Sequence, residues 1–108
     1  MPITADTGIV IVTRGHAFDQ TCLEKAVRTP ARYIGMIGSR RKVRQIAAAL
    51  EEKGVRVGDD PRVYTPMGLE LGDNSPEEIA ISIMAEVLAV MSGGSGRHMR
   101  EKVFGKGE

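Results

Sequence analysis

The residues best suited to binding chemistry lie in three loops that combine glycine with polar or basic side chains. These loops span residues 13–19, 38–42 and 65–69. Each follows a short apolar run typical of a β-strand, and ligands of open parallel sheets bind outside the carboxyl ends of the strands. We therefore expect the three loops to meet at one edge of a sheet and to form a ligand site there.

The second loop is typical of an anion site. Ser39 stands where a helix N-cap belongs, and three basic side chains follow it in the first turn: Arg40, Arg41 and Lys42. The helix dipole favours an anion by about 0.3–1 kcal/mol, and each charge-assisted hydrogen bond adds roughly 1.5–3 kcal/mol. Gly38 has no Cβ, so the backbone can approach a ligand closely. The alternative is a plain strand-to-helix turn followed by a solvated basic surface.

The other two loops supply Thr13, His16 and Gly68. His16 could orient a ligand, carry a proton near neutral pH or supply one metal ligand, or it could be a loop histidine held by Asp19. Asp19 could instead cap the helix that begins nearby. Cys22 falls on the apolar stripe of that helix, which favours a packed core thiol over a nucleophile.

Three predicted strands position these loops, at residues 8–13, 32–37 and 62–64. The first two are apolar at consecutive positions, which is typical of strands buried on both faces of a parallel sheet. One helix is predicted between the first and second strands, from about Phe18 to Pro30. Another is predicted between the second and third strands, from Ser39 to Gly54.

A third helix is predicted to begin at Ser75, because serine caps, Pro76 suits the first turn and Glu78 can complete a capping box. Its predicted buried stripe contains five apolar residues: Ile79, Ile83, Val87, Val90 and Met91. Glu86 interrupts this helix one turn after Ser82, and the sequence leaves open whether it is buried and paired or faces water.

The alternating order predicts an α/β fold, a Rossmann-like three-layer domain with a short parallel sheet that resembles the second half of a doubly wound fold. Right-handed crossovers place the first two helices on one face and leave the other face without cover in this chain. We therefore expect a homo-oligomer or pairing with a complementary chain. The domain is predicted over residues 1–92, and the glycine-rich and charged residues 93–108 are predicted to form a flexible tail.

Composition excludes several classes of protein. The 108 residues carry 15 basic and 14 acidic side chains, so the strong positive charge of typical nucleic-acid binders is absent. No run approaches the length of a membrane span, and the first residues do not resemble a secretory signal, so a cytoplasmic location is expected. One cysteine and two histidines argue against a metal site formed by protein side chains alone.

Four segments of the chain resemble motifs of the C-terminal Rossmann domain of the XdhC/CoxI family, which are accessory factors of xanthine dehydrogenase and related molybdenum hydroxylases. They are residues 13–19 (TRGHAFD), 33–42 (YIGMIGSRRK), 66–72 (PMGLELG) and 75–86 (SPEEIAISIMAE). The resemblance runs from about residue 8 to residue 90. The family's longer members carry an N-terminal domain and a glycine-rich first βα unit, and we expect neither within these 108 residues. Met67 and Glu70 also stand where isoleucine and aspartate are common.

The resemblance implies a chaperone without catalytic residues of its own. It would bind the molybdenum cofactor and help to insert it into an apo-hydroxylase, with a cysteine desulfurase as a further partner. The cofactor's phosphate would lie near Ser39, Arg40 and Arg41, with His16 and Gly68 facing the pterin. A nicotinamide-dinucleotide-binding oxidoreductase fragment is one alternative, although the chain has no GxGxxG fingerprint. A structural module that completes a partner's sheet is another.

Overall fold

A computed structural model describes residues 2–12, 15–72 and 75–105 of the chain, apart from the side chain of His16. Three short strands alternate with helices, as the sequence predicts. The elements in chain order are β1 (Gly8–Ile11), α1 (His16–Ala26), β2 (Tyr33–Met36), α2 (Arg40–Glu52), a single 3-10 turn (Val57–Asp59), β3 (Val63–Tyr64), α3 (Pro76–Ser92) and α4 (Glu101–Phe104).

The strands form one parallel sheet in the order β1-β2-β3. Gly8 pairs with Tyr33 at the start of β1, and Ile34 pairs with Val63 across the other edge of β2. The predicted α/β fold with a short parallel sheet is confirmed. Each strand is shorter than predicted, because hydrogen-bonded pairing ends before the apolar residues do.

The main hydrophobic core lies between the sheet and helices α1 and α2. Ile34 and Met36 of the central strand are almost fully buried there, against Leu23 of α1 and Leu50 of α2. Cys22 is partly buried against the same cluster, as expected for a packed thiol. The two crossover helices therefore share one face of the sheet, as right-handed connections require.

Helix α3 lies on the opposite face, which corrects the expectation that this chain leaves that face bare. It contacts β2 through Tyr33, and near its end the Sδ of Met91 lies 3.5 Å from the position a Cβ on Gly8 would take. The crossover rule concerns helices that connect two parallel strands. Because α3 follows the last strand, nothing in that rule prevents it from returning across the second face.

The buried face of α3 also differs from the predicted apolar stripe. Ser82 and Glu86 are the buried residues, whereas Ile79 is 45% exposed and Ile83 and Val87 are only half-buried. The predicted stripe is correct only in part, since Val90 and Met91 are also part-buried, and it missed Ser82 and Glu86 because it ranked residues by hydrophobicity alone. A polar side chain can be buried when it forms hydrogen bonds with other buried groups.

The helix boundaries follow their capping residues. The Ser39 hydroxyl accepts a hydrogen bond from the Lys42 amide at 3.2 Å, and Ser75 accepts one from the Glu78 amide at 3.2 Å. Helix α3 ends at Gly93, whose φ of 73° is left-handed. Both predicted N-caps are therefore confirmed.

The predicted tail contains α4, a single helical turn at Glu101–Phe104. Its apolar side chains Val103 and Phe104 are each more than 70% exposed. Across the described residues, no helix combines the length and the apolar character needed to cross a bilayer.

Arg62 ties the short strand β3 to the segment before β2. Its guanidinium donates hydrogen bonds to the carbonyl oxygens of Val27, Thr29 and Ala31 at 2.9, 2.6 and 3.0 Å. It also donates to both carboxylate oxygens of Asp60, at 3.0 and 2.8 Å. These hydrogen bonds from Arg62 hold the pKa of Asp60 below its ordinary value.

We predict that Asp60→Asn makes the fold less stable at neutral pH and less sensitive to acid. Because the folded-state pKa of Asp60 lies below the ordinary value of 3.8, its stabilisation is present above about pH 4 and is lost as the pH falls through the folded pKa. Urea unfolding at pH 7 and at pH 3 measures the free energy of unfolding. Its decrease from pH 7 to pH 3 should be smaller in the variant than in the wild type. Asp59→Asn is the matched control, since its carboxylate lies 4.0 Å from Arg56 and is exposed.

Candidate ligand-binding site

A groove of about 780 Å³ opens at the carboxyl ends of β2 and β3, between the second loop, the third loop and α3. Its size falls within the range of small-molecule sites. An adjoining pocket of about 340 Å³ shares Arg40 and Glu70 with it and extends it toward Glu78. The main groove is lined by Ile37, Gly38, Ser39, Arg40, Pro66, Met67, Gly68, Leu69, Glu70, Ile79, Ser82 and Ile83.

Four of the predicted site residues line this groove: Gly38, Ser39, Arg40 and Gly68. The second and third loops therefore meet at one sheet edge, as their positions after parallel strands predict. The remaining predicted residues are placed differently. Arg41 is exposed beside the groove without lining it, Thr13 lies outside the described residues, and so does the side chain of His16 at the start of α1.

Lys42 is engaged in an ion pair with Asp19. The Lys42 ammonium contacts the Oδ2 atom of Asp19, whose side chain is fully buried at the start of α1. The sequence indicated two roles for Asp19, as a helix cap or as a partner of His16. It did not indicate the ion pair with Lys42 of α2. It anchors α2 to α1, and it leaves Arg40 and Arg41 as the basic side chains of this turn that are available to a ligand.

The N-terminus of α2 keeps a local positive charge. Arg40 and Arg41 are exposed and form no ion pair with a described residue, and the first turn has no acidic side chain. Their backbone N–H groups are likewise without a hydrogen bond among the described residues, as is usual in a first helical turn. Dipole, amides and guanidinium groups all favour an anion here.

The third loop is held tightly against the end of β2. The Met67 amide and the Thr65 hydroxyl both donate to the carbonyl oxygen of Met36, at 3.1 and 3.2 Å, and the Thr65–Pro66 peptide is cis. Gly68 has a φ of 113°, and a Cβ there would lie 2.7 Å from the Ser82 hydroxyl. Only glycine fits this position, because both the backbone angle and the contact exclude a side chain.

Glu86 connects this loop to the sheet from its buried position on α3. One carboxylate oxygen accepts hydrogen bonds from the Tyr33 hydroxyl at 2.8 Å and from the Gly68 amide at 3.0 Å. Burial raises the pKa of Tyr33, and the hydrogen bond to Glu86 raises it further. The Tyr33 ring stacks on Tyr64 with centroids 5.0 Å apart. Gly35 makes room for this packing, since a Cβ there would lie 2.6 Å from the Tyr33 ring.

Glu70, Ser82 and the Tyr33–Glu86 pair were missing from the predicted site. Glu70 lines the groove together with Arg40, so the groove presents both a carboxylate and a guanidinium group to a ligand. The signal for the others was the polar pair Ser82 and Glu86 at i, i+4 on an otherwise apolar helix. Their partners are distant in sequence, and so the pattern alone could not say whether the pair was buried.

The chain matches the XdhC Rossmann domain family over residues 1–87. It belongs to this family. The match spans β1 to most of α3 and so includes every described element that borders the groove. The groove therefore lies within the part of the chain that matches the family.

Two curated relatives and one solved structure show similarity over most of this XdhC Rossmann domain. An uncharacterised Escherichia coli K12 protein, YqeB, is 35% identical over 89% of the chain and 17% of its own length. A probable xanthine dehydrogenase subunit of Bacillus subtilis 168 is 29% identical over 73% of the chain and 22% of its own length. A crystal structure of a xanthine dehydrogenase from Bacillus halodurans superposes with a TM-score of 0.64 at 28% identity, covering 95% of the chain and 28% of that protein. The chain thus spans less than a quarter of the curated relatives it matches.

We predict that Lys42→Met destabilises the fold, because it removes the ammonium group that contacts the fully buried Asp19 carboxylate. Removing one partner of a buried ion pair costs several kcal/mol, and we expect about 2–4 kcal/mol here since Lys42 retains some exposure. Urea unfolding at pH 7 measures the loss. Arg41→Met is the matched control and should change the free energy of unfolding by less than about 0.5 kcal/mol. Equal effects of the two substitutions would contradict a structural role for the pair.

We predict that Glu86→Ala destabilises the domain by about 2–4 kcal/mol, because it leaves the buried Tyr33 hydroxyl and the part-buried Gly68 amide without their acceptor. Glu86→Gln keeps an acceptor oxygen in place and should cost less. Thermal and urea unfolding of both variants provide the comparison, with the exposed Glu77→Ala as control. A Glu86→Ala protein as stable as Glu77→Ala would show that these hydrogen bonds contribute nothing.

Proposed function

We propose that this XdhC Rossmann domain is an accessory module that binds the molybdenum cofactor and helps to insert it into a xanthine dehydrogenase-type molybdenum hydroxylase. Family membership and the names of the matched relatives support the xanthine dehydrogenase context. The observation that carries the proposal is the N-terminus of α2, with Arg40 at its start, opening directly into a groove of about 780 Å³.

The residues at the α2 N-terminus fit the phosphate of such a cofactor. Arg40 and Arg41 supply guanidinium donors that suit phosphate oxygens, and the first amides of the helix point toward the same region. No acidic side chain stands in the first turn of α2 to compete for them. We infer that the phosphate binds here, while Lys42 stays with Asp19 and supports the helix.

The remainder of the groove fits a polar heterocycle such as the pterin. Met67, Ile79 and Ile83 provide apolar contact area, and Glu70 offers a carboxylate that can accept hydrogen bonds from ring N–H groups. The amide of Gly68 donates to Glu86 and so is not available to a ligand. Gly68 contributes instead by leaving the space that a side chain would fill. His16 stays a prediction as a further contact. When bound, the cofactor would supply the molybdenum chemistry, and the domain's own role is to bind, orient and shield it.

A binding module rather than an enzyme agrees best with this groove. Arg40 and Glu70 are charged groups of opposite sign on its walls, an arrangement that orients a ligand, and its other polar lining residues, Ser39 and Ser82, use their hydroxyl groups within their own helices. Transfer to a hydroxylase, sulfuration by a cysteine desulfurase and a cytoplasmic location are further parts of the proposal. The first two involve partner proteins, which the longer relatives would bind through the rest of their chains.

Titration of the chain with isolated molybdopterin under anaerobic conditions tests the proposal. We expect Arg40→Ala and Arg41→Ala each to weaken binding about 10-fold or more, because each removes a charge-assisted hydrogen bond worth about 1.5–3 kcal/mol. Arg44→Ala is the matched control, being an exposed arginine one turn further along α2 and outside the groove.

Two results would overturn the proposal. Affinity for molybdopterin unchanged in the Arg40→Ala, Arg41→Ala double variant would remove the α2 N-terminus from the site. Tighter binding of NAD or NADP than of molybdopterin would favour the dinucleotide alternative.

A further inference from the structure

Hydrogen-bond donors gather on the wall of the groove that the second loop and the start of α2 form. Arg40 lines this wall, and a guanidinium group can only donate. The Ser39 oxygen accepts from the Lys42 amide at 3.2 Å, while its hydroxyl proton meets no acceptor among the described residues and can be donated to a ligand. The first amides of the helix are further donors. This wall therefore suits a hydrogen-bond acceptor, above all an anion.

The opposite wall, which the third loop and α3 form, presents side-chain acceptors. Glu70 carries a carboxylate, and an ionised carboxylate can only accept. Ser82 donates its hydroxyl proton to the carbonyl oxygen of Ile79 at 2.9 Å. Because that proton is already used within the helix, Ser82 can offer a ligand only the lone pairs of its oxygen. The polar side chains of this wall therefore suit a ligand group that donates.

The backbone at the start of the third loop leaves no donors that would weaken this difference between the walls. Pro66 has no N–H group. The Met67 amide donates to the carbonyl oxygen of Met36 at 3.1 Å. The Gly68 amide donates to the carboxylate of Glu86 at 3.0 Å. None of these three loop residues has a backbone N–H group left for a ligand.

The Ser82 oxygen is buried and yet borders open space. Its residue is only 7% exposed, but it lines both the groove and the adjoining pocket. A Cβ on Gly68 would lie 2.7 Å from this oxygen, so the glycine keeps it within reach of a ligand. A buried acceptor discriminates more strongly than an exposed one, because a ligand without a matching donor leaves it without a replacement for water.

We propose that the groove selects its ligand by this division, with the anionic group on the α2 wall and a hydrogen-donating edge of the heterocycle against Glu70 and Ser82. The inference rests on the proposed function, since it concerns the same groove, and it adds the residues that determine specificity. The 2-aminopyrimidinone ring of a pterin carries an amino group and an adjacent ring N–H on one edge, and a carboxylate can accept from both. An oxo group in place of the amino group would set two acceptors against each other.

A matched pair of ligands tests this specificity: 6-hydroxymethylpterin phosphate and 6-hydroxymethyllumazine phosphate, which carry an amino and an oxo group at position 2. In titration calorimetry of the 108-residue chain, we expect the pterin phosphate to bind about 10-fold more tightly or better. A site that accepts from a ligand N–H rejects the analogue that lacks it. Glu70→Gln should reduce this ratio to below about 3-fold, since a glutamine amide can donate to the oxo group.

Glu77→Gln is the matched control, because Glu77 is an exposed carboxylate on α3 that lines neither the groove nor the adjoining pocket. It removes the same charge as Glu70→Gln and should leave the ratio unchanged. Ser82→Ala should weaken binding of the pterin phosphate about 3- to 10-fold and that of the lumazine phosphate less. A purely structural effect of Ser82→Ala would weaken both ligands equally and would remove Ser82 from the specificity site.

Equal affinities of the wild-type chain for the two phosphates overturn the inference, and so does a ratio that Glu70→Gln leaves unchanged. If molybdopterin nevertheless binds and its affinity depends on Arg40, the proposed function stands and only the assignment of specificity falls. If neither molybdopterin nor either phosphate binds, the proposed function itself fails.

Discussion

The buried carboxylate of Glu86 is the interaction on which the arrangement of this domain depends. It joins three parts of the chain that are far apart in sequence: α3, the Tyr33 hydroxyl of the central strand and the Gly68 amide of the third loop. Burying a carboxylate is costly unless donors replace the lost water. Because the Gly68 amide belongs to the loop that borders the groove, one of the hydrogen bonds that permit burial also sets the position of a groove wall.

The orientation of α3 follows from this carboxylate. With Glu86 and Ser82 turned toward the sheet, Ile81, Met84 and Leu88 must point away from it, since they lie on the opposite side of the helix. The exposed apolar stripe is thus the consequence of a polar contact on the inner side. One helix thereby supplies a wall of the groove with its inner side and an exposed apolar surface with its outer side.

The basic turn at the start of α2 shows a comparable division of roles among adjacent residues. Lys42 neutralises the fully buried Asp19 and so fixes the helix against α1. Arg40 and Arg41 remain exposed at the positive end of the helix dipole, and Arg40 reaches the groove. A firmly anchored helix N-terminus holds its free donors in place, which lowers the entropy cost of binding an anion. Lys42 and Arg40 therefore have different roles in one helical turn, since Lys42 pairs with a buried carboxylate and Arg40 lines the groove.

Local sequence determined the elements, because Ser39, Ser75 and Gly93 act within one helical turn and consecutive apolar residues define buried strands. It also determined the parallel sheet and the meeting of the second and third loops, since strand order and crossover handedness follow from the βα alternation. The four motifs were enough to indicate the family. Only the tertiary structure decided which face of α3 is buried, that Lys42 pairs with Asp19, and that Glu70 and Ser82 join the groove. Each of these depends on partners brought together by folding, and hydrophobic periodicity carries no information about such partners.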